Sequence, residues 1–176
     1  MAEKIKAYIF DLCETLIHFP QGRELKDVLG ADYHEFLLAH KFSELELPPE
    51  VRERFLDVFG KSEFSLYDDS EDVIARLKGR YKLGIVSNLY EIVADKIRKK
   101  FHDFLKNFNV IALSFELGLV KPDHKIFQYA LSQLGVKPEE AVMVGDSVKR
   151  DITPARELNI PTILIDRIKQ NLIDLI

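Results

Sequence analysis

Five short apolar runs recur along the chain, and stretches with helical periodicity separate them. Continuous apolar runs of this length are typical of strands that are buried on both faces of a parallel sheet. The alternation of strand and helix predicts right-handed crossovers with helices on both faces. We therefore predict an α/β fold with a mostly parallel five-stranded sheet. The predicted strands are 6–10, 82–86, 109–113, 141–144 and 162–165.

Residues that favour helix starts and stops place four helices between these strands. A hydroxyl side chain such as that of Ser70 can cap a helix N-terminus, and a glycine or proline favours its end. The predicted helices are 71–78 after Ser70, 90–100, 123–134 ending at Gly135, and 149–158 ending before Pro161.

Residues 18–67 interrupt this alternation, because they contain amphipathic patterns at 23–29, 33–42 and 49–59 but no clear strand. We predict a small helical cap insertion at 18–67 that folds over the sheet edge, with a core domain made of 1–17 and 68–176. Aromatic residues recur in the insertion. Either they only pack it together and onto the core, or one or two of them line a substrate pocket. They are Tyr33, Phe36, Phe42, Phe55 and Phe59.

Composition limits the function classes. The chain has 176 residues, of which 47% are hydrophobic and 31% charged, as expected for one globular domain with a modest insertion. The net charge of −4 argues against nucleic acid or an anionic membrane as a partner. A single cysteine excludes an internal disulfide. The first residues lack an apolar stretch long enough for a signal peptide or a membrane span, so we expect a cytoplasmic protein. We expect it to be a monomer or a homodimer.

Two aspartates each follow an apolar run. Asp11 follows the first run, and Asp146 follows the fourth. Because chemistry in open α/β sheets takes place at the carboxyl ends of the strands, we expect both to meet at one edge. A carboxylate can attack phosphorus and form an acyl phosphate, but its approach to an anionic phosphate needs positive charge. Mg²⁺ supplies that charge and prefers oxygen ligands, so Asp11 and Asp146 are the expected metal ligands.

Other polar residues can complete such a site. Ser87 and Asn88 end the second run ahead of a helix, where a hydroxyl and backbone N–H groups form a phosphate cradle. Lys121 offers a point charge to the phosphate and the nucleophile. Asp151 can orient Lys121 or stand behind the metal, and the hydroxyl of Thr15 can tie the first turn together. Each residue alone fits an ordinary cap or surface position; together they favour magnesium-dependent phosphoryl transfer on a small phosphorylated substrate.

The motifs resemble those of the haloacid dehalogenase superfamily over nearly the whole chain. They are Asp11-Leu12-Cys13-Glu14-Thr15, Val86-Ser87-Asn88, Lys121-Pro122-Asp123, and Gly145-Asp146-Ser147 with Asp151. The resemblance implies a Rossmann-like three-layer sandwich with a short helical cap. It also implies specific roles: the nucleophile is Asp11, the phosphate binders are Ser87 and Lys121, the acidic pair is Asp146 and Asp151, and a carbonyl ligand to Mg²⁺ comes from Cys13.

Cys13 departs from the family pattern. Phosphatases of this family usually carry aspartate there and glycine at the Glu14 position. The missing aspartate protonates the leaving alcohol and then activates water. We expect neighbouring carboxylates to keep the Cys13 thiol neutral at pH 7. Loss of a general acid–base typically costs about 10²–10⁴-fold in rate. Glu14 can replace the aspartate only if its side chain turns into the site.

Four interpretations remain open. The first is a slow phosphatase or phosphotransferase that prefers acyl or aryl phosphates, which need little protonation. The second is a haloacid dehalogenase, against which Asp146 argues because C–halogen chemistry has no use for a metal-binding acid. The third is a degenerate regulatory protein that binds phosphate and magnesium, and the fourth is a full-rate enzyme with another acid. His18 follows the first motif and either touches substrate or packs where the insertion begins.

Overall fold

A parallel five-stranded sheet forms the centre of the protein in a computed structural model that describes residues 5–30, 33–38 and 41–176. The strands are β1 (Ala7–Phe10), β2 (Ile17–His18), β3 (Ser65–Leu66), β4 (Lys82–Ser87), β5 (Val110–Leu113), β6 (Ala141–Gly145) and β7 (Thr162–Leu164). The helices are α1 (Gly22–Leu29), α2 (Tyr33–Leu38), α3 (Pro49–Lys61), α4 (Ser70–Leu77), α5 (Glu91–Lys100), α6 (His102–Leu105), α7 (Ser114–Leu117), α8 (His124–Leu134) and α9 (Thr153–Glu157).

The central sheet has the order β5-β4-β1-β6-β7, and all neighbouring strands are parallel. Alternate residues of β1 face opposite sides of the sheet. Phe10 belongs to the apolar cluster that contains the buried side chains of α4 and α5, whereas Ile9 belongs to the cluster that contains those of α8. Both residues are fully buried, which explains the unbroken apolar run. The predicted α/β fold with helices on both faces is confirmed.

The five predicted strands are present with ends shifted by one residue at most, but one helix start is wrong. Ser70 does not cap α4, because α4 begins at Ser70 itself and its N-cap residue is Asp69. The Ser70 hydroxyl instead donates to the carbonyl oxygen of Leu16 at 2.8 Å. A capping residue and a first-turn residue look alike in a sequence, since only the contact partner separates them.

The predicted helix at 149–158 is two elements. A π-helical segment, Val148–Ile152, precedes α9. The backbone N–H groups of Asp151 and Ile152 both donate to the Ser147 carbonyl oxygen, at 2.9 and 3.2 Å. Such widened turns occur frequently at functional sites. Here the segment follows directly after the end of β6.

The prediction that the insertion contains no strand is wrong at both of its ends. β2 pairs antiparallel with β3, with Ile17 opposite Leu66 and His18 opposite Ser65. Strands of two residues are too short to show the period of two that identifies a strand in a sequence. Between them, the predicted pattern at 23–29 forms α1 and that at 49–59 forms α3. The pattern at 33–42 includes α2 and the start of the 3₁₀ turn Phe42–Glu44, and its residues 39–40 lie outside the described ranges.

Aromatic side chains of the insertion pack mainly against one another. The ring of Phe55 is stacked 5.1 Å from that of Phe42 and 6.1 Å from that of Phe59. Two of these rings also meet the core ring of Tyr90 edge-on, that of Tyr33 at 6.0 Å and that of Phe55 at 6.1 Å. The side chain of Phe36, also predicted as a pocket candidate, lies outside the described part. None of the helices described here combines the length and the apolar character that crossing a membrane requires.

Candidate active site

Three neighbouring strands bring the predicted site residues to one edge of the sheet. Asp11 follows β1, Ser87 ends β4 on one side of it, and Asp146 follows β6 on the other. The backbone N–H of Asp11 continues the ladder by donating to Val144 at 2.8 Å. A cavity of about 770 Å³ opens at this edge, and these three residues and Lys121 line it. The sheet topology thus brings together residues that are far apart in sequence.

Lys121 holds the centre of this group. Its Nζ donates to Oδ1 of Asp11 at 2.7 Å, to Oδ1 of Asp151 at 2.6 Å and to the Val86 carbonyl oxygen at 2.9 Å. The side chain is almost fully buried. Burial by itself would lower the pKa of Lys121, but the two carboxylates outweigh burial and raise it. Lys121 therefore stays positively charged between two carboxylates.

Three carboxylates surround this single ammonium group. Oxygens of Asp11, Asp146 and Asp151 lie within 4.8 Å of one another. Burial, followed by the negative charges of Asp11 and Asp151, raises the pKa of Asp146 to about 7. Both oxygens of Asp151 are engaged, because Oδ2 accepts from the Ser147 N–H at 3.0 Å. Lys121 alone cannot neutralise three carboxylates, and the remaining negative charge fits a divalent cation with oxygen ligands.

Gly145 lets Asp151 approach the end of β6. A Cβ atom at this position would lie 2.6 Å from Cβ, Cγ and Oδ2 of Asp151, closer than real Cβ contacts come. Any other residue would therefore push Asp151 away from Lys121. The glycine that precedes Asp146 is explained by this close approach.

The predicted phosphate cradle is only partly free to bind a ligand. Asn88 lines the cavity, but its Oδ1 accepts from the Lys121 N–H at 2.8 Å and its Nδ2 donates to the Lys121 carbonyl oxygen at 3.0 Å. The amide of Asn88 therefore positions the Lys121 backbone. The hydroxyl of Ser87 also lines the cavity, and it has no hydrogen-bond partner within the described ranges. Ser87 is the member of the pair that remains available to an anion.

Thr15 does not tie the first turn through its hydroxyl as predicted. Its Oγ1 is buried and lacks a hydrogen-bond partner among the residues described. The carbonyl oxygen of Thr15 instead accepts from Nε and Nη2 of Arg167, at 2.8 and 2.6 Å. Arg167 also forms an ion pair with Asp69 at 2.7 Å. The C-terminal region therefore fixes this turn, which the local sequence could not indicate.

Cys13 lies beside Asp11 and lines the cavity. Burial raises the pKa of its thiol well above the usual value, and the charges of Asp11 and Glu14 raise it further. The thiol is therefore neutral at physiological pH, and a neutral thiol is a poor base. Cys13 keeps its backbone carbonyl, which is the group that the family resemblance assigns to the metal.

Glu14 is tied to the insertion rather than to Asp11. Its backbone adopts the left-handed region, with φ at 61°, a conformation that favours glycine. Its Oε1 accepts from the Phe19 N–H and its Oε2 from the Tyr67 hydroxyl, both at 2.7 Å. His18 Nδ1 lies 3.3 Å from Oε2 of Glu14, and both residues line the cavity. Glu14 thus joins the first turn to the β2–β3 pair.

Several cavity residues were not predicted from the sequence. Arg23 and Lys26 of α1 line the cavity from the insertion, and Arg150 lines it from the π-helical segment. Tyr33 also lines it, whereas Phe42, Phe55 and Phe59 do not. The spacing of Arg23 and Lys26, three residues apart on one helix, was the available sequence signal. Arg150 offered no signal, because its orientation depends on the widened turn.

Comparisons with known proteins bear on the family and the fold. The family model for haloacid dehalogenase-like hydrolases matches residues 8–165. A phosphoserine phosphatase from Thermus thermophilus is 28% identical over 151 residues, which are 83% of this chain and 59% of that protein. A glyceraldehyde 3-phosphate phosphatase from Methanocaldococcus jannaschii is 41% identical over 86 residues, 48% of this chain and 36% of that protein. The chain thus spans less than two thirds of either relative.

A solved structure supports the same fold. It is a HAD-family enzyme from Bacteroides thetaiotaomicron in complex with magnesium and inorganic phosphate. It superposes with a TM-score of 0.72 at 19% identity, covering 97% of this chain and 98% of the other. The family match extends over most of the chain and includes all the strands of the central sheet except the first residue of β1. The chain therefore belongs to the family of haloacid dehalogenase-like hydrolases.

Proposed function

We propose that this protein is a magnesium-dependent phosphatase or phosphotransferase in which Asp11 is the nucleophile and Cys13 limits turnover. The observation that carries the proposal is the buried Lys121, which bridges Asp11 and Asp151 beside Asp146. Two relatives are described as phosphatases of phosphoserine and of glyceraldehyde 3-phosphate, and the Bacteroides enzyme binds magnesium with phosphate. A small phosphorylated substrate fits the cavity.

Asp11 and Asp146 would hold Mg²⁺ with the carbonyl oxygen of Cys13, and Asp151 would stand behind them. The donor set fits, because these oxygens carry more negative charge than Lys121 neutralises. Bound Mg²⁺ supplies the positive charge that lets an anionic phosphate approach a carboxylate. Asp151 is better suited to orient Lys121 than to bind the metal directly, since both of its oxygens already accept hydrogen bonds.

The covalent step follows from the hydrogen bonds of Asp11. Its Oδ1 accepts from Lys121, so Oδ2 is free to attack phosphorus. A bond forms between Oδ2 and phosphorus, the bond from phosphorus to the leaving oxygen breaks, and that oxygen takes the electron pair. The Ser87 hydroxyl and the Lys121 ammonium stabilise the charge on the phosphoryl oxygens. Water, or an acceptor alcohol, then attacks phosphorus and releases Asp11.

Proton transfer is the weak step. Cys13 is neutral and Glu14 is held by Phe19 and Tyr67, so neither is placed to protonate a leaving alcohol or to activate water. Aryl and acyl phosphates release stable anions and do not need that proton. We therefore infer a preference for such substrates, together with slow hydrolysis of the aspartyl phosphate.

Residues 18–67 act as a small cap over the core formed by 1–17 and 68–176.

A second candidate is a regulatory protein that binds phosphate and magnesium without turnover. The state of the first turn favours it, because the Cys13 thiol is neutral and the Glu14 carboxylate is held by Tyr67. A haloacid dehalogenase is less consistent with the site, since that reaction has no use for Asp146 as a metal ligand.

Phosphate release from acetyl phosphate and p-nitrophenyl phosphate, with Mg²⁺ or with EDTA, tests the proposal. We expect Mg²⁺-dependent release by the native chain and by Asp95→Asn, an exposed control on α5, and none by Asp11→Asn. Full release by Asp11→Asn would contradict the nucleophile assignment. Absence of release, together with Mg²⁺-dependent phosphate binding in calorimetry, would favour the regulatory protein.

A further inference from the structure

Three further cations line the cavity, and none of them belongs to the hydrogen-bonded group of Lys121, Asp11 and Asp151. Arg23 and Lys26 project from α1, and Arg150 comes from the π-helical segment after β6. The two elements are separated by more than half of the chain, so their convergence on one cavity is a product of the fold. We call Arg23, Lys26 and Arg150 the outer cations.

The outer cations are not consumed by ion pairs. None of the three side chains donates a hydrogen bond to, or forms an ion pair with, any residue in the described ranges. Lys26 Nζ instead lies over the ring of Tyr33, 5.1 Å from its centroid. The contact leaves the N–H groups of the ammonium free to donate to a ligand, since a ring face attracts a cation without acting as a conventional hydrogen-bond acceptor.

Arg150 is the most informative of the three, because it is partly buried. Burial by itself would lower the pKa of its guanidinium, but Tyr33, Asp11 and Asp146 outweigh burial and raise it. A charged group without an acceptor in a partly buried position is costly, so such arginines commonly meet an anion. Exposed cations on a helix such as Arg23 and Lys26 are ordinarily just solvated, so Arg150 is what distinguishes this group from an ordinary helix face.

The charges of Asp11 and Asp146 act on Arg150, but no described carboxylate of the cavity accepts a hydrogen bond from an outer cation. Asp11 and Asp146 belong to the cluster around Lys121. Glu14 is committed to Phe19 and Tyr67. Asp27 is the remaining carboxylate among the described lining residues. Three cations against one uncommitted carboxylate make the outer cavity electropositive.

Building on the proposed function, we propose that the leaving group of the substrate carries a second anionic group, a carboxylate or a phosphate, that binds to the outer cations. The phosphoryl group lies at Ser87 and Lys121, and the organic part spans the cavity towards α1. A volume of about 770 Å³ accommodates a phosphoryl group, a small organic body and a second anion. The outer cations thus select the substrate, whereas the cluster around Lys121 performs the reaction.

Matched aryl phosphates test this inference. We would compare 4-carboxyphenyl phosphate with its neutral isostere, 4-carbamoylphenyl phosphate, and include 1,4-phenylene bisphosphate to separate a carboxylate from a second phosphate. For the native chain, kcat/KM for the better anionic ester should exceed that for the neutral ester at least about tenfold, as expected for a charge-assisted contact. In Arg150→Gln and in Arg23→Gln/Lys26→Gln, this ratio should fall towards one.

Lys149→Gln is the matched control, because Lys149 is the exposed neighbour of Arg150 and does not line the cavity. Its ratio should equal that of the native chain. A native ratio near one for both anionic esters, or an equal loss in Lys149→Gln, would overturn the inference while leaving the proposed function intact. If no ester is hydrolysed, the proposed function fails. In that case the affinities of the same esters are measured by calorimetry, and equal affinities for the anionic and neutral esters overturn the inference about the outer cations.

Discussion

Removing the charge of Lys121 should destabilise the metal-free protein strongly. Lys121 is 3% exposed, and its partners Asp11 and Asp151 are 7% and 1% exposed. Lys121→Met keeps most of the apolar stem but leaves two buried carboxylates without their cation. Breaking one partner out of a buried ion pair typically costs about 3–5 kcal/mol. For a chain of this size, each kcal/mol lowers Tm by about 2–4 °C, so Tm should fall by about 6–20 °C.

The pH dependence of this loss follows from the same contacts. Burial already raises the pKa of Asp151 and Lys121 opposes that rise, so in the variant the pKa of Asp151 in the folded state should lie further above that in the unfolded chain. The folded variant then binds protons that the unfolded chain does not bind. Its stability therefore falls as pH rises through this range, and the difference from the native protein should be smaller at about pH 5 than at about pH 7.5.

Thermal unfolding followed by circular dichroism, in EDTA at both pH values, measures these differences. Lys149→Met serves as the control, because it removes an exposed lysine and should leave Tm within about 2 °C of the native value. A Tm for Lys121→Met within that same margin at about pH 7.5 would refute the reasoning. So would a loss that is larger at about pH 5 than at about pH 7.5.

Three further predictions concern neighbouring residues. Cys13→Asp should speed steady-state hydrolysis of aryl phosphates at least about tenfold, whereas Cys13→Ser should not, and no gain in Cys13→Asp would show that another group transfers the proton. Because the pKa of Asp146 is raised to about 7, the folded metal-free protein binds a proton that the unfolded chain releases. Its stability in urea should therefore decline as pH rises from about 5 to about 7, and Mg²⁺ should abolish the decline; a flat metal-free profile would contradict this. Gly145→Ala should cost about 1–3 kcal/mol, because the new methyl group collides with Asp151, whereas Gly60→Ala, where nothing lies within 4 Å, should not destabilise the protein in the same urea titration.

The central sheet could be predicted because its strands are buried on both faces, so that each leaves an apolar run. β6 is the clearest case, since all five of its residues are buried. β2 and β3 could not be predicted, because a strand of two residues is too short to show the alternation of apolar and polar residues that identifies a strand. Helix starts were less accurate, as Ser70 shows, because a hydroxyl group can cap a helix or donate to a distant carbonyl oxygen.

The convergence of Asp11 and Asp146 could be predicted from strand ends, whereas Lys121 lies beyond β5 and α7 and was predicted only as a point charge for the site. The hydrogen-bond partners of the site side chains could not be predicted, because these partners are distant in sequence. The carbonyl group of Thr15 meets Arg167, 152 residues away, while its hydroxyl finds no described partner. The position of Arg150 at the cavity depends on a π-helical turn that no local sequence pattern predicts.

The most direct test of the account is to trap the phosphorylated enzyme. The protein would be mixed with Mg²⁺ and p-nitrophenyl phosphate, quenched in acid and measured by intact-mass and peptide mass spectrometry. Because Cys13 cannot activate water, one phosphoryl group should accumulate on the peptide that contains Asp11 and be absent from Asp11→Asn. Phosphate release without any phosphorylated protein, or a phosphoryl group that persists in Asp11→Asn, would contradict the central claim that Asp11 is the nucleophile.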